Sequence, residues 1–385
     1  MIGAVLGLIV VALAISVPMT AALIRVGHRS GALDSAGAHG HLKTLRTVPN
    51  IGGIAIYAAI ALPLAIGLIL ALWTDLPAKL VPAIVPHLSR IRDSAPAAWA
   101  MLACATVLHV MGLVDDRRSL DPFLKLLIQL VMAAVLTIWF DVRLLSLLGE
   151  APSIIITIIW IVVITNAINF LDNMDGLAAG VSAIAAGFLM SACLVNQQWF
   201  IAASLALLIG ALVGFLIFNF PPAKIFMGDG GSLVIGFLLA VLTARTTFYH
   251  PALGGAWYGV FMPVVILAVP LYDFCTVTAI RLRQGKSPFV GDQQHFSHRL
   301  VQRGLSRRGA VIVIWAAAAV TGIGGIALAQ LRPWQAALVG VQTLLVLLML
   351  ALLEFASRHA TGRSTMGTAQ HSEDLKPRMN TDERR

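Results

Sequence analysis

Three short stretches concentrate carboxylates where apolar runs end: VDD at 114–116, NFLDNMDG at 169–176 and MGDGGS at 227–232. Acids at the ends of apolar helices are costly unless they pair or bind cations, so they point to function. In NAINFLDNMDG, helical spacing puts Asn166, Asn169, Asp172 and Asn173 on one arc, with Asp175 at the turn that Gly176 allows. Asp229 sits between glycines, where backbone N–H groups can approach an anion while the acid holds a cation. Lys224 and Phe226 precede it, a charge for phosphate and a ring for a base. His295 and His298 lie three apart in SPFVGDQQHFSHRL, with Arg299 beside them. No further His or Cys joins them at zinc-like spacing, so phosphate contact or a solvated basic loop is the better reading. Clustered acids surrounded by Lys, Arg and His suit Mg²⁺ completed by phosphate oxygens, and hence a diphosphate.

The elements that position these residues are membrane helices. The chain of 385 residues is 58% hydrophobic and 12% charged, outside the range of soluble domains. Apolar runs suggest eleven spans, at 3–24, 51–73, 97–114, 124–140, 153–170, 177–195, 199–218, 232–248, 258–280, 310–330 and 335–355. Arg245 must snorkel from the eighth. The segment 74–96 reads as a long loop on the outer side.

The first run lacks a basic segment before it, so it is not a cleaved signal peptide, and Arg25 and Arg29 behind it favour an outside N-terminus. About 21 Lys and Arg then follow odd-numbered spans and about 6 lie elsewhere, the asymmetry of the positive-inside rule. All the acidic stretches therefore fall on the cytoplasmic face, together with HLKTLRTVPNIGG at 41–53 and the histidine segment. The expected fold is an all-α polytopic bundle over 1–357, with a polar cytoplasmic tail at 358–385 that is poorly periodic and read as disordered.

Other features take plainer readings. Asp121-Pro122 looks like a helix N-cap with proline at the first turn. Lys125 and Gln129, four apart, share a helix face. Arg117 and Arg118 balance Asp115 and Asp116. Cys104, Cys193 and Cys275 lie in apolar runs without metal or disulfide spacing. The basic residues are scattered, with no interleaved aromatics, which argues for a membrane surface and against nucleic acid.

The ordered motifs VPNIGG, GLVDD with Lys125 and Gln129, NAINFLDNMDGLAAG, PPAKIFMGDGGS and SPFVGDQQHFSHRL resemble the polyprenyl-phosphate N-acetylhexosamine-1-phosphate transferases of WecA, TagO and MraY type, from about residue 41 to about residue 309. The resemblance implies Mg²⁺-dependent transfer (Mn²⁺ as the alternative) of a sugar 1-phosphate from a UDP-N-acetylhexosamine to polyprenyl phosphate, with release of UMP. It places the protein in the cytoplasmic membrane of a bacterium, working on a cell-envelope glycan, with a homodimer compatible. Carried over by motif, Asp229 is the metal ligand, while Asp115 and Asp116 lie at the polyprenyl phosphate, with Asp115 the candidate base. Asn169, Asp172 and Asp175 line the nucleotide-sugar pocket, and Lys125 and His298 contact phosphates. Phe226 stacks on uracil, and Lys43, Gly52, Gly53, Lys224, His295 and Arg299 complete the substrate-binding set.

Three departures refine this. Asp172-Asn173 stands where the family often has Asp-Gly, and Ser297 replaces one histidine. An HHH run is absent, which points away from a UDP-muramoyl-pentapeptide donor and toward UDP-N-acetylglucosamine. The alternatives are an MraY-like transferase or a cation-coupled secondary transporter. Transporter acids gather near the bilayer midplane, where only Asp273 fits. The CDP-alcohol phosphotransferases need an Arg that DGLAAG lacks.

Overall fold

The computed structural model describes residues 1–30, 48–246, 256–285 and 295–355, and among them the extended regular elements are all helices. Lys43, the loop at 37–40, SPFVGDQQ and the tail lie outside the described residues. The helices are α1 (Ile2–Ser30), α2 (Gly52–Trp73), α3 (Leu76–Leu80), α4 (Leu88–Asp115), α5 (Pro122–Trp139), α6 (Glu150–Leu171), α7 (Leu177–Val195), α8 (Trp199–Asn219) and α9 (Asp229–Arg245). There follow α10 (Met262–Ile266), α11 (Ala268–Arg283), α12 (Phe296–Gln302), α13 (Arg307–Ile326) and α14 (Pro333–Phe355). Hydrocarbon offers the backbone no partners, so each apolar run closes its own hydrogen bonds as a helix.

Among the described residues nine helices are long and apolar enough to cross a membrane, and the bent pair 257–266 and 268–283, angled by 67°, makes a tenth candidate. The chain is a polytopic membrane protein. The expected eighth span corresponds to α9, whose 17 residues are shorter than the other candidates. The expected loop at 74–96 is largely helical instead: α3, a 3₁₀ turn at Pro82–His87, and the opening turns of α4. Its polar residues, SRIRDSA, read as a loop by hydropathy, yet nothing in them before Pro96 breaks a helix.

Helix α9 is the hub. Every residue from Gly230 to Ala244 is buried, and α9 packs against α6, α4 and α2, with α7 and α8 also touching it. Helix α14 lies at the periphery, with Leu344, Leu345, Leu348 and Leu352 more than half exposed, a surface suited to lipid. A helix apolar on all sides belongs in the middle of such a bundle, and one with an uncovered apolar face belongs at its edge.

Candidate active site

Six helix termini meet at one end of the bundle: the ends of α4, α6 and α8 and the starts of α5, α7 and α9. Asp121 caps α5, accepting from Phe123 N at 2.9 Å and Leu124 N at 3.2 Å, with Pro122 in the first turn as its sequence suggests. The cap aims Lys125 back at the end of α4. There Lys125 Nζ donates to Asp115 Oδ2 at 2.7 Å and stands 3.7 Å from Asp229 Oδ2. Asp115 Oδ1 accepts from Leu120 N at 2.7 Å, so its carboxylate is held on both sides. Asn169, on the last turn of α6, donates to Asp229 Oδ1 and to Ser232 Oγ, both at 2.9 Å.

Asp116 builds the turn that presents Asp229. Its Oδ1 accepts from Asp229 N at 3.0 Å and from Asn50 at 3.1 Å, and its Oδ2 accepts from Gly230 N at 3.2 Å. The backbone N–H groups that the sequence offers to an anion are thus already filled, and the anion is Asp116. Burial pushes the Asp116 carboxyl up to about 6, with the neighbouring Asp115 charge adding and the hydrogen bonds from Asp229, Gly230 and Asn50 opposing.

The approach is close because glycines permit it. A Cβ on Gly53 would fall 2.4 Å from Gly231 N, and one on Gly112 2.4 Å from the Asp229 carbonyl carbon. The segment 49–53 also pairs with 226–227: Phe226 N donates to Pro49 O, Gly52 N to Phe226 O and Gly53 N to Met227 O. Gly52 and Gly53 therefore act through their backbone.

Beside these acids lies a cavity of about 50 Å³ lined by Lys125, Gln129, Asn166, Asn169, Phe170 and Asp229. Gln129 and Asn166 are hydrogen-bonded across it. The residues predicted on one arc divide here. Asn166 and Asn169 face this cavity, while α6 ends at Leu171 with Asp172 as its C-cap, the Asp172 N–H still donating to Ile168 O at 3.2 Å, and Asn173 lies beyond the helix. Asn173 bonds Phe170 O at 2.7 Å and accepts from Ser297 at 2.5 Å. Asp175 receives Ala223 N at 3.0 Å, tying the α6–α7 turn to the loop before α9. Of that loop, Lys224 is exposed and Phe226 half-buried.

The histidine segment is less open than its sequence suggests. His295 is buried, and its Nδ1 meets Asp273 Oδ2 at 2.9 Å. It is neither a solvated loop residue nor free to reach a phosphate through that nitrogen. Asp273 thereby gains its role as partner of the basic segment. His298 is half-buried, and burial pulls it below its usual value, reinforced by the His295 charge, while a bond to the Asn173 backbone opposes. Arg299 pairs with Glu354 of α14 at 3.0 Å, which engages a guanidinium expected at substrate.

Two residues of the site escaped the sequence reading. Asn50 lies inside the quoted VPNIGG stretch, where its tie to Asp116 spans 66 positions. His109 is buried in α4, stacked on Tyr57 at 4.5 Å, with Nδ1 2.7 Å from Gly230 O. The signal was there: a histidine within an apolar membrane run, two turns before Asp116 on the same face.

The fold and site define a membrane-embedded protein with a carboxylate and lysine cluster at one end of its bundle. Residues 98–247 match the family described as Glycosyl transferase family 4. The chain is 35% identical to the probable undecaprenyl-phosphate N-acetylglucosaminyl 1-phosphate transferase of Bacillus subtilis (strain 168), over 61% of this chain and 67% of that protein. It is 29% identical to the decaprenyl-phosphate N-acetylglucosaminephosphotransferase of Mycolicibacterium smegmatis, over 83% and 81%. It is 28% identical to the undecaprenyl-phosphate alpha-N-acetylglucosaminyl 1-phosphate transferase of Escherichia coli (strain K12), over 71% and 70%. The chain belongs to this family of polyprenyl-phosphate N-acetylhexosamine-1-phosphate transferases.

Proposed function

We propose that this protein transfers N-acetylglucosamine 1-phosphate from UDP-N-acetylglucosamine to polyprenyl phosphate, undecaprenyl phosphate being the expected acceptor, and so begins a lipid-linked envelope glycan. The observation that carries this reading is the convergence of Asp115, Asp116, Lys125, Asn169 and Asp229 from four separate segments. An acceptor phosphate oxygen attacks the phosphorus that bears the sugar. The bond from that phosphorus to the bridging oxygen breaks, and UMP departs with the electron pair. A phosphomonoester dianion is nucleophilic near neutral pH, so Asp115 holds and orients Lys125 rather than having to remove a proton. Lys125 carries positive charge to the reacting phosphates, and Asn166 and Gln129 offer amides to the donor.

The donor set fits Mg²⁺. Asp115 and Asp229 are hard oxygen ligands that already share one cation, the Lys125 ammonium. Among the described residues no group of three or more His, Cys, Asp or Glu side chains is arranged to hold a metal ion as a closed cage would. An ion held by one or two carboxylates and completed by substrate phosphates does not require one. We assign Asp229 as its ligand; when bound, Mg²⁺ would spread the charge of the transferring phosphoryl group.

The distribution of Lys and Arg supports eleven spans with the N-terminus outside, the acid-bearing end in the cytoplasm, and residence in the bacterial cytoplasmic membrane. On this reading residues 1–357 form the catalytic domain and 358–385 a cytoplasmic tail. An impermeant maleimide should label Asn196→Cys in intact cells and Arg117→Cys only after lysis; the reverse pattern defeats the orientation.

The enzymatic test is UMP release by purified protein, offered a panel of UDP-sugars with polyprenyl phosphate and Mg²⁺, with and without EDTA. UDP-N-acetylglucosamine should be the best donor, and EDTA should stop turnover. Release that ignores polyprenyl phosphate, or none with any donor, overturns the reading.

A further inference from the structure

At the other end of the bundle lies a larger pocket of about 410 Å³, formed where α4 begins, α7 meets α8, and α9 ends. Sixteen residues of helix rise separate Arg245 from Asp229, about 24 Å, so this pocket is distinct from the active site. Its charged side chains are cationic: Arg90 and Arg245 line it, with His87 beside them, and among the described residues no Asp or Glu does. The Arg245 guanidinium stacks over Phe200 at 5.7 Å, yet its Nη1 is buried without an acceptor among the described residues. Trp199 Nε1 is a second buried donor in the same wall that lacks an acceptor among the described residues. The first turn of α8 also faces this space, and no side chain caps it. Two guanidinium groups, an orphaned indole N–H and a helix N-terminus all favour negative charge.

We propose that this pocket holds the phosphate headgroup of an anionic lipid. A buried donor with no partner costs on the order of 1–3 kcal/mol, and an anion oxygen removes that cost. The lining is amphipathic: Ile91, Trp199 and Phe200 adjoin the cations, and Gln197 supplies an amide for headgroup hydroxyls. Aromatic and Arg side chains at helix ends occupy the depth at which lipid phosphates lie. A soluble phosphate would use the cations but leave the apolar wall without a ligand.

The test uses the purified full chain in detergent, with thermal unfolding and native mass spectrometry as readouts. The probes are dioleoylphosphatidylglycerol, dioleoylphosphatidylcholine and inorganic phosphate, added to the wild type, Arg90→Gln and Arg245→Gln. Phosphatidylglycerol should raise the wild-type Tm and remain bound in the spectrum, and each substitution should weaken it by about tenfold. Arg90 is exposed, so Arg90→Gln keeps the test independent of folding if Arg245→Gln fails to fold. Equal protection by phosphatidylcholine, or phosphatidylglycerol binding that survives both substitutions, overturns the proposal. So does an absence of binding by any probe. Arg-dependent protection by inorganic phosphate alone overturns the lipid assignment in favour of a soluble anion.

Discussion

Helix α9 begins at Asp229 and ends at Arg245, and the two residues stand in contrasting surroundings. Both charges suit the helix dipole, acid at the N-terminus and base at the C-terminus. Asp229 is enmeshed: Asn169 bonds its side chain, Asp116 takes its N–H, and Lys125 stands near. Arg245 stacks on one ring and keeps a buried nitrogen without an acceptor among the described residues. A charge whose partners all come from the protein is held in place for chemistry, whereas one left partly unpaired is a place for something else to bind.

The sharpest way to break this contrast is Asp229→Asn. It should lower UMP release by about a thousandfold or more while the protein remains folded by thermal unfolding, because Asn retains the volume and the Asn169 contact. Retained turnover would remove Asp229 from the metal site. Asp116→Asn comes next, since the amide keeps the shape but cannot accept from Asp229 N and Gly230 N with both side-chain atoms. Activity should fall about a hundredfold and stability by about 1–3 kcal/mol, read by UMP release and denaturant titration of the purified chain. If only stability moved, Asp116 would be structural alone.

Gly53→Ala sharpens the comparison through packing. Its Cβ would meet the α9 backbone, not a side chain that could swing away, so a loss of about 1–3 kcal/mol with parallel loss of turnover is expected. An unchanged Tm would show that segment 49–53 can shift away from α9. The smallest effect concerns His298. Its native value lies below the unfolded one near 6.5, so the unfolded chain binds more protons and stability falls as pH drops below 6.5. His298→Gln should flatten that part of a Tm against pH profile, and an unaltered profile would show that His298 does not contribute to it.

The site's ingredients were legible to different depths. Asp115, Lys125, Asn169 and Asp229 stand out because acids, amides and cations at the ends of apolar runs have few bland explanations, and the structure unites them. The arc through Asn166 and Asn169 reaches the cavity, whereas Asn173, beyond the end of α6 at Leu171, turns to Phe170 O and Ser297. Arg299 and His295 were read from local charge, and nothing local reveals that Glu354 and Asp273 engage them across 55 and 22 positions. His109 went unread although its face was computable, because a lone histidine on an apolar face is usually packing.

Composition and the length of the apolar runs determined by themselves that this chain would be a bundle of membrane helices, since hydrocarbon leaves the backbone no other way to satisfy its hydrogen bonds. The apolar runs likewise place most helix ends to within several residues, although α4 begins at Leu88, well before the expected 97. Only the tertiary structure decided that α9 would be the hub, that Asp116 would spend its carboxylate on the turn presenting Asp229, and that Arg245 would face a cavity. Those outcomes depend on which helices touch. In a bundle whose helices are nearly all apolar, local sequence says little about neighbours, because close packing and a few long-range hydrogen bonds make that choice.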